Sequence, residues 1–247
     1  MSWYRIDMGI RKTPIAGGQY YHLYNRGNSK QTIFVDEQDY DRFVKLLFLC
    51  NSKGFINFRI DVVERKIDAW EFDREEPLIS ICAWVLMPNH FHLYIGTPET
   101  SGLINSTIVS GRDKNEATVF MQKLGTAYAK YFNTKYGRTG SLFEGKFKSV
   151  HVENDVQARY LFSYIHLNPV KLIQSDWKER GVEDKKSAFR YASDYRYSSL
   201  KDWLGFSRKE TSIINKNKLA TILPESFSPN EDLFQWLSYK NGQNERT

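Results

Sequence analysis

The most regular pattern in the chain is a pair of apolar segments separated by a turn. Residues 78–86 form an apolar run in which Ser80 is the only polar residue, and Pro88 and Asn89 follow it. Over residues 90–95 polar and apolar side chains then alternate. Because alternation is typical of a half-buried strand, the pattern predicts a hairpin whose second strand has one polar and one apolar face.

The remaining segments predict an α+β fold. Residues 19–24 and 141–152 read as strands, and apolar residues recur at helical spacing over residues 36–50, 115–133 and 154–168. The resulting order is strand, helix, strand, strand, helix, strand, helix. It predicts a ferredoxin-like antiparallel sheet with helices on one side, plus an added helix.

Composition changes along the chain and suggests three parts. Residues 1–17 form a basic N-terminal arm, residues 18–206 the main domain, and residues 207–247 a polar, partly helical C-terminal tail. Within the main domain, residues 55–63 can be read as a strand. Residues 64–76 are dense in charge and are expected to be exposed.

Overall composition indicates the class of protein and of partner. With 41% hydrophobic residues in 247, the chain can build a sizeable core, and its net charge of +6 suggests an anionic partner. Cys50 and Cys82 lie in apolar runs and are expected to be buried free thiols, as in a reducing cytoplasm. No apolar run reaches the roughly 18 residues that span a bilayer, and no signal-peptide pattern opens the chain, so a soluble intracellular protein is expected.

The polar face of the second hairpin strand carries two of the five histidines in the chain. His90, His92 and Tyr94 share this face, because side chains on a strand repeat every second residue. Two adjacent imidazoles can bind one metal ion. A histidine pair of this kind is more often a surface or hydrogen-bonded pair, so a metal site needs a third ligand and a reactive group elsewhere.

The last predicted helix supplies candidates for the third metal ligand and for the reactive group. Tyr160, Tyr164 and Asn168 are four residues apart and lie on one stripe. A tyrosine phenolate can attack phosphorus, although a free pKa near 10 means that it needs help. Asn168 precedes Pro169 at the helix end, where its side-chain oxygen could join two imidazoles around Mg²⁺ or Mn²⁺. The alternative is that these tyrosines only pack.

Cations dominate residues 120–150, and aromatic side chains alternate with them. DNA phosphates attract cations, and unpaired bases stack on aromatic rings. The alternative is a solvated helix face over core aromatics. The candidates for DNA contacts are Arg26, Lys123, Lys130, Arg138, Lys146 and Lys148.

Five segments occur in a characteristic order. They are residues 24–27 (YNRG), 87–92 (MPNHFH), 140–148 (GSLFEGKFK), 164–170 (YIHLNPV) and 194–205 (DYRYSSLKDWLG). Together they resemble the single-tyrosine His-hydrophobic-His transposases, and most closely the REP-associated tyrosine transposases.

The resemblance extends over residues 17–206 and implies a nuclease that cuts single-stranded DNA near a hairpin. His90 and His92 match the metal-binding pair. Asn168 matches the third ligand, for which related transposases use Gln. Tyr164 matches the nucleophile, which would form a 5′-phosphotyrosine link and leave a 3′-hydroxyl that can reverse the step during DNA recombination.

Several alternatives stay open at this point. Tyr160 competes with Tyr164 as the nucleophile. His22 and His151 could each approach the site, although an ordinary polar contact is the favoured interpretation of both, and His166 is expected to be structural. The rival functions are a relaxase-like or replication-initiator nickase, and a non-catalytic or domesticated hairpin-binding protein of the same fold. A monomer or homodimer in the bacterial cytoplasm, associated with the nucleoid, is expected.

Overall fold

Four antiparallel strands form one sheet in the computed structural model, which describes residues 15–54, 56–99 and 115–238. The strands are β1 (Tyr20–Arg26), β2 (Ser80–Met87), β3 (His90–Gly96) and β4 (Lys148–Val152). Their order across the sheet is β2-β3-β1-β4. This is the ferredoxin-like order, so the predicted α+β class is confirmed. Most of the predicted N-terminal arm lies outside the described residues.

The three long helices predicted from the sequence are present, followed by shorter ones. They are α1 (Glu37–Leu49), α2 (Glu116–Lys135), α3 (Asp155–His166), α4 (Trp177–Arg180), α5 (Lys185–Asp194), α6 (Leu200–Trp203), α7 (Lys216–Ala220) and α8 (Pro229–Ser238). Within the described part of the chain, none of the helices has the length and apolarity needed to cross a bilayer.

Short polar side chains begin the three long helices. Asp36 accepts a hydrogen bond from the backbone N–H of Asp39 and forms a capping box with it. Asn115 and Asn154 accept equivalent bonds at the starts of α2 and α3. Each cap satisfies a backbone donor that has no partner within the helix, so these side chains fix where the helices begin.

Two predicted strands differ from the structure. β4 begins only at Lys148, because Gly140 and Gly145 have φ of +83° and +123° and interrupt the extended backbone. Residues 59–64 form a π-helical turn rather than a strand. In this turn Val62 is buried and Ile60 is exposed. On a strand these two side chains would lie on the same face, so one buried and one exposed side chain do not fit a strand.

The alternation along β3 separates two cores, one on each face of the sheet. Phe91, Leu93 and Ile95 pack against α1 and α2 on one face. Tyr94 packs against α3 and the C-terminal helices on the other. The added helix α3 therefore covers the face that carries the histidine pair.

The C-terminal segment packs against the sheet rather than extending away from it. Leu219, Leu233 and Leu237 are buried in the α3-side core. The backbone N–H of Leu86 donates to Tyr197, and Ile81 accepts from Asn215, so the outer edge of β2 is partly paired. Paired edge groups cannot recruit another strand.

Candidate active site

Cross-strand pairing places polar side chains around the histidine pair. Arg26 on β1 lies opposite His90 on β3, and Tyr24 lies between His92 and Lys148. Because directly paired residues project to the same face of a sheet, all five lie on the face that α3 covers. This group forms one wall of the candidate site.

Helix α3 brings the candidate nucleophile to that wall. The ring centroid of Tyr164 lies 5.2 Å from that of His92 and 5.9 Å from that of His22. Asn168 follows one turn later, fully buried, at the start of a 3-10 turn spanning Asn168–Leu172. The structure therefore brings together His90, His92, Tyr164 and Asn168.

The competing tyrosine, Tyr160, lies one turn earlier in the same helix. The Tyr160 ring is 6.0 Å from Tyr164 and packs edge-on against Trp236 of α8, with centroids 5.1 Å apart. Tyr164 makes ring contacts with both His92 and His22. Of the two candidates, the geometry favours Tyr164.

The proton on His90 is fixed by its neighbour. His90 Nδ1 lies 2.6 Å from Asn89 Oδ1, and Asn89 Nδ2 donates to the Lys30 carbonyl at 3.2 Å. Since the amide oxygen can only accept, His90 Nδ1 carries the proton and Nε2 keeps a lone pair. Burial and the charge of Lys171 lower the pKa of His90 to about 4, so the imidazole is neutral at neutral pH.

The other histidine of the pair, His92, is hydrogen-bonded to His22. Its Nδ1 lies 2.8 Å from His22 Nε2, while its buried Nε2 has no hydrogen-bond partner. A His92 that donates from Nδ1 keeps the Nε2 lone pair available. Burial lowers the pKa of His92 well below its usual range and that of His22 to about 3, so both rings are uncharged.

Asn168 is the third polar group in this pocket, and neither its Oδ1 nor its Nδ2 makes a hydrogen bond. The amide nevertheless lies near enough to His90 and Tyr164 to raise the pKa of the first and lower that of the second. Leaving a buried amide without partners is costly, which suggests that another group satisfies it.

These orphaned atoms fit a metal ion. Two neutral imidazole nitrogens and one amide oxygen are suitable donors for a divalent cation and leave positions for phosphate and water. Over residues 15–54, 56–99 and 115–238, three or more His, Cys, Asp or Glu side chains do not come together as a metal-binding group. Asn168 Oδ1 is the candidate third protein ligand for an ion at the histidine pair.

Two lysines approach the ring of Tyr164. Lys178 Nζ lies 3.9 Å from the ring centroid and Lys171 Nζ lies 5.9 Å from it. Burial raises the pKa of Tyr164, and the nearby Asn168 offsets only part of that rise. The phenol is thus protonated in the isolated protein and lies in a cationic environment.

The predicted DNA-binding residues divide between the two faces of the sheet. Arg26 and Lys148 lie on the histidine face, and Arg26 donates from Nη2 to Glu144 Oε1 at 2.8 Å. Lys146 is exposed in the turn before β4. These three cations lie on or beside the strands that form the wall.

The other candidates lie away from the histidines. Lys123 and Lys130 belong to α2 on the opposite face, and Lys123 Nζ donates to the Ser52 carbonyl at 2.6 Å. Arg138, just after α2, donates to the Gln31 side chain at 2.9 Å. The structure does not bring these three side chains to Tyr164.

Comparisons with known proteins give weak similarities. No protein-family model and no curated protein matches the chain. The chain is similar to a REP-associated tyrosine transposase solved bound to a REP hairpin, with 18% identity, a TM-score of 0.44, and coverage of 82% of this chain and 89% of that one. It is also similar to a protein from Deinococcus radiodurans proposed to be a transposase, with 15% identity, a TM-score of 0.31, and coverage of 62% and 92%. The roles of the site residues rest on the geometry above.

The sequence did not reveal three residues of this site. For His22 an ordinary polar contact was favoured over an approach to the site, and it bonds to His92. The signal for this position was the alternation of His22, Tyr24 and Arg26 along β1. Lys171 follows Asn168 by three residues, close to one helical turn. No sequence pattern pointed to Lys178, because its place beside Tyr164 depends on the path of the short helix α4.

Proposed function

We propose that the chain is a metal-dependent, single-tyrosine DNA transposase that cleaves and rejoins single-stranded hairpin DNA. The observation that carries this proposal is the convergence of Tyr164 with two neutral histidines and a buried, unpartnered Asn168. A nucleophile beside a set of uncharged ligands and several cations suits phosphoryl transfer. The five sequence segments that resemble such transposases support the same conclusion.

His90, His92 and Asn168 would hold the divalent ion, Mg²⁺ or Mn²⁺. When bound, it would polarise the scissile phosphate and neutralise charge that develops during transfer. The protein supplies the rest. Asn89 and His22 orient the two imidazoles through hydrogen bonds, and such neighbours of metal ligands commonly set ligand geometry.

Cleavage exchanges one phosphodiester bond for another. The Tyr164 phenol loses its proton and Oη forms a bond to the scissile phosphorus, while the bond from phosphorus to the 3′ oxygen breaks. The departing 3′ oxygen takes up a proton, and the 5′ phosphate stays on the tyrosine. Attack by a 3′-hydroxyl reverses the step on the same or another strand, so no nucleotide triphosphate is consumed.

The charge around the site suits a single strand. Arg26, Lys148, Lys171 and Lys178 lie on the histidine face or beside Tyr164. Cations at this density attract a phosphate backbone, and a single strand can present its phosphorus to a tyrosine without opening a duplex. The hairpin as target follows from the sequence resemblance.

The first prediction concerns the nucleophile. Labelled hairpin oligonucleotides from the DNA flanking the gene, incubated with Mn²⁺ or Mg²⁺, should give a covalent protein–DNA adduct on a denaturing gel. Tyr164→Phe removes the attacking oxygen and should abolish the adduct while leaving hairpin binding nearly intact. Tyr160→Phe is the matched control and should retain it. An adduct of normal yield with Tyr164→Phe would refute the assignment.

A further inference from the structure

The side chains that surround Tyr164 include two lysines from consecutive segments of the chain. Lys171 comes from the 3-10 turn that follows α3, and Lys178 from α4, where buried Trp177 anchors the helix in the core. Their ammonium groups lie 5.9 Å and 3.9 Å from the Tyr164 ring centroid. Both are therefore held next to the proposed nucleophile.

The two ammonium groups oppose one another electrostatically. Burial, together with the charge of Lys171, lowers the pKa of Lys178 to about 7, although Glu179 acts in the opposite direction. Burial likewise lowers the pKa of Lys171. An anion placed among these groups would relieve the repulsion and restore the charged form of Lys178.

The metal ligands do not supply that anion. His90, His92 and Asn168 are uncharged donors, and a divalent cation there would add positive charge to the pocket. The substrate of the proposed reaction does supply one, since each phosphodiester carries a negative charge. A phosphate attacked by Tyr164 must come within bonding distance of Oη, the oxygen carried by the ring whose centroid lies 3.9 Å from Lys178 Nζ.

We propose that Lys178, with Lys171 as the second cation, binds the scissile phosphate and holds it against the Tyr164 hydroxyl. This inference rests on the proposed function. Lys178 then touches the reacting group directly, and its positive charge offsets the charge that builds up on the phosphate oxygens during transfer.

The test compares Lys178→Gln with Lys178→Arg on two substrates. One is the hairpin with an ordinary phosphodiester at the cleaved linkage, as mapped with the wild-type protein. The other carries a neutral methylphosphonate at that linkage. The single-turnover rate of adduct formation is measured with Mn²⁺, with Lys186→Gln on α5, an exposed lysine, as the matched control. Circular dichroism and melting temperature establish that each variant is folded.

On the phosphodiester, Lys178→Gln should slow adduct formation about 100-fold, the usual loss when one donor to a developing oxyanion is removed. Lys178→Arg keeps the charge and should recover most of the rate, and Lys186→Gln should match the wild type. On the methylphosphonate the difference between wild type and Lys178→Gln should shrink to within about threefold, because the charge that Lys178 binds is absent.

Two results would overturn the inference while leaving the proposed function intact. One is a Lys178→Gln rate within about threefold of wild type on the phosphodiester. The other is an equal loss on both substrates, which would show that Lys178 only supports the local structure. Failure of the wild-type protein to form any adduct would instead refute the proposed function, and the inference with it.

Discussion

At the scale of single residues, the candidate site depends on which nitrogen of each histidine carries the proton. Asn89 fixes the tautomer of His90 through a side chain that Lys30 orients in turn. His22 is positioned to do the same for His92. With both Nδ1 atoms protonated, the two proposed ligand nitrogens are available without any change of protonation, and supporting groups of this kind are usual around metal ligands.

His22 should therefore affect metal binding although it is not itself a proposed ligand. His22→Leu removes the hydrogen-bond partner of His92 Nδ1 and should weaken Mn²⁺ binding about 10- to 100-fold, as losses of this kind usually do. Electron paramagnetic resonance of free Mn²⁺ during a titration measures the affinity without DNA or activity.

The matched control is His151, a partly exposed histidine whose Nε2 lies 3.0 Å from the Gln19 side chain, apart from the proposed ligands. His151→Leu should leave the affinity unchanged. Equal Mn²⁺ affinity of His22→Leu and the wild type would mean that the His22–His92 bond does not support a metal ligand.

Spacing alone predicts part of this site. The His90–His92 alternation and the four-residue spacing of Tyr164 and Asn168 put each pair on one face of its own element. That the two pairs lie together in one site was implied only by the family resemblance. The roles of His22 and Lys178 depend on cross-strand register and on the path of α4, which local patterns do not encode.

At the scale of elements, the sheet separates the cations of the wall from those of α2. On the wall, Arg26 is paired with Glu144, and both side chains are about one-third exposed, at 30% and 36%. An ion pair this exposed contributes little to stability, so a DNA phosphate could replace the carboxylate at low cost. If DNA binds the wall as proposed, Glu144 competes with it for Arg26.

Removing that competitor should tighten DNA binding. Glu144→Gln should lower the Kd for the hairpin and steepen its salt dependence by about one phosphate contact, because Arg26 is released and a repulsive charge is lost. Fluorescence anisotropy across a series of salt concentrations measures both. Unchanged or weaker binding would place the DNA away from β1 and β4.

Lysines on the two faces provide the internal comparison. Lys148→Gln on the wall should weaken binding and flatten the salt dependence by about one contact. Lys130→Gln, exposed on α2, tests the other face. An effect confined to Lys130 would mean that the DNA follows α2, as the charge pattern of residues 120–150 first suggested.

Elements were predicted best where a cap or a strict period marks them. Asp36, Asn115 and Asn154 begin helices as expected, and the alternation of β3 divides its side chains as expected. The start of β4 was placed too early, because the alternation of Phe143 and Phe147 with lysines resembles a strand. Positive φ at two glycines overrides that resemblance.

At the scale of the whole molecule, several histidines are buried and neutral. His22, His92 and His166 are each at most 5% exposed, and burial lowers the pKa of His22 and His166 to about 3. For His92 burial likewise lowers the pKa well below its usual range. In the unfolded chain the same groups take up protons near pH 6.5.

This difference predicts acid sensitivity. Below pH 6.5 the unfolded state binds more protons than the folded one, so stability is lost as pH falls, by up to about 1.4 kcal/mol per pH unit for each histidine. Urea unfolding at pH 7 and pH 5 should show a lower free energy of unfolding at pH 5. His166→Gln removes one of these histidines, so the dependence of the free energy of unfolding on pH should correspond to about one proton fewer. Equal stability at the two pH values would contradict this account.

Residues that come after the site in the sequence complete the core on the α3 side of the sheet. Leu219, Leu233 and Leu237 are buried there, and Trp236 packs on Tyr160. The polar composition of residues 207–247 concealed this packing, because a few leucines at helical spacing are enough to cover α3. The boundary after residue 206 stays a prediction.

The proposed function depends on covalent attachment of DNA to Tyr164. The most direct measurement is mass spectrometry of peptides from the wild-type protein after incubation with hairpin DNA and Mn²⁺, followed by nuclease and protease digestion. We predict a peptide that carries a 5′-linked nucleotide on Tyr164. The same nucleotide on Tyr160, or no modified tyrosine despite DNA cleavage, would contradict the account.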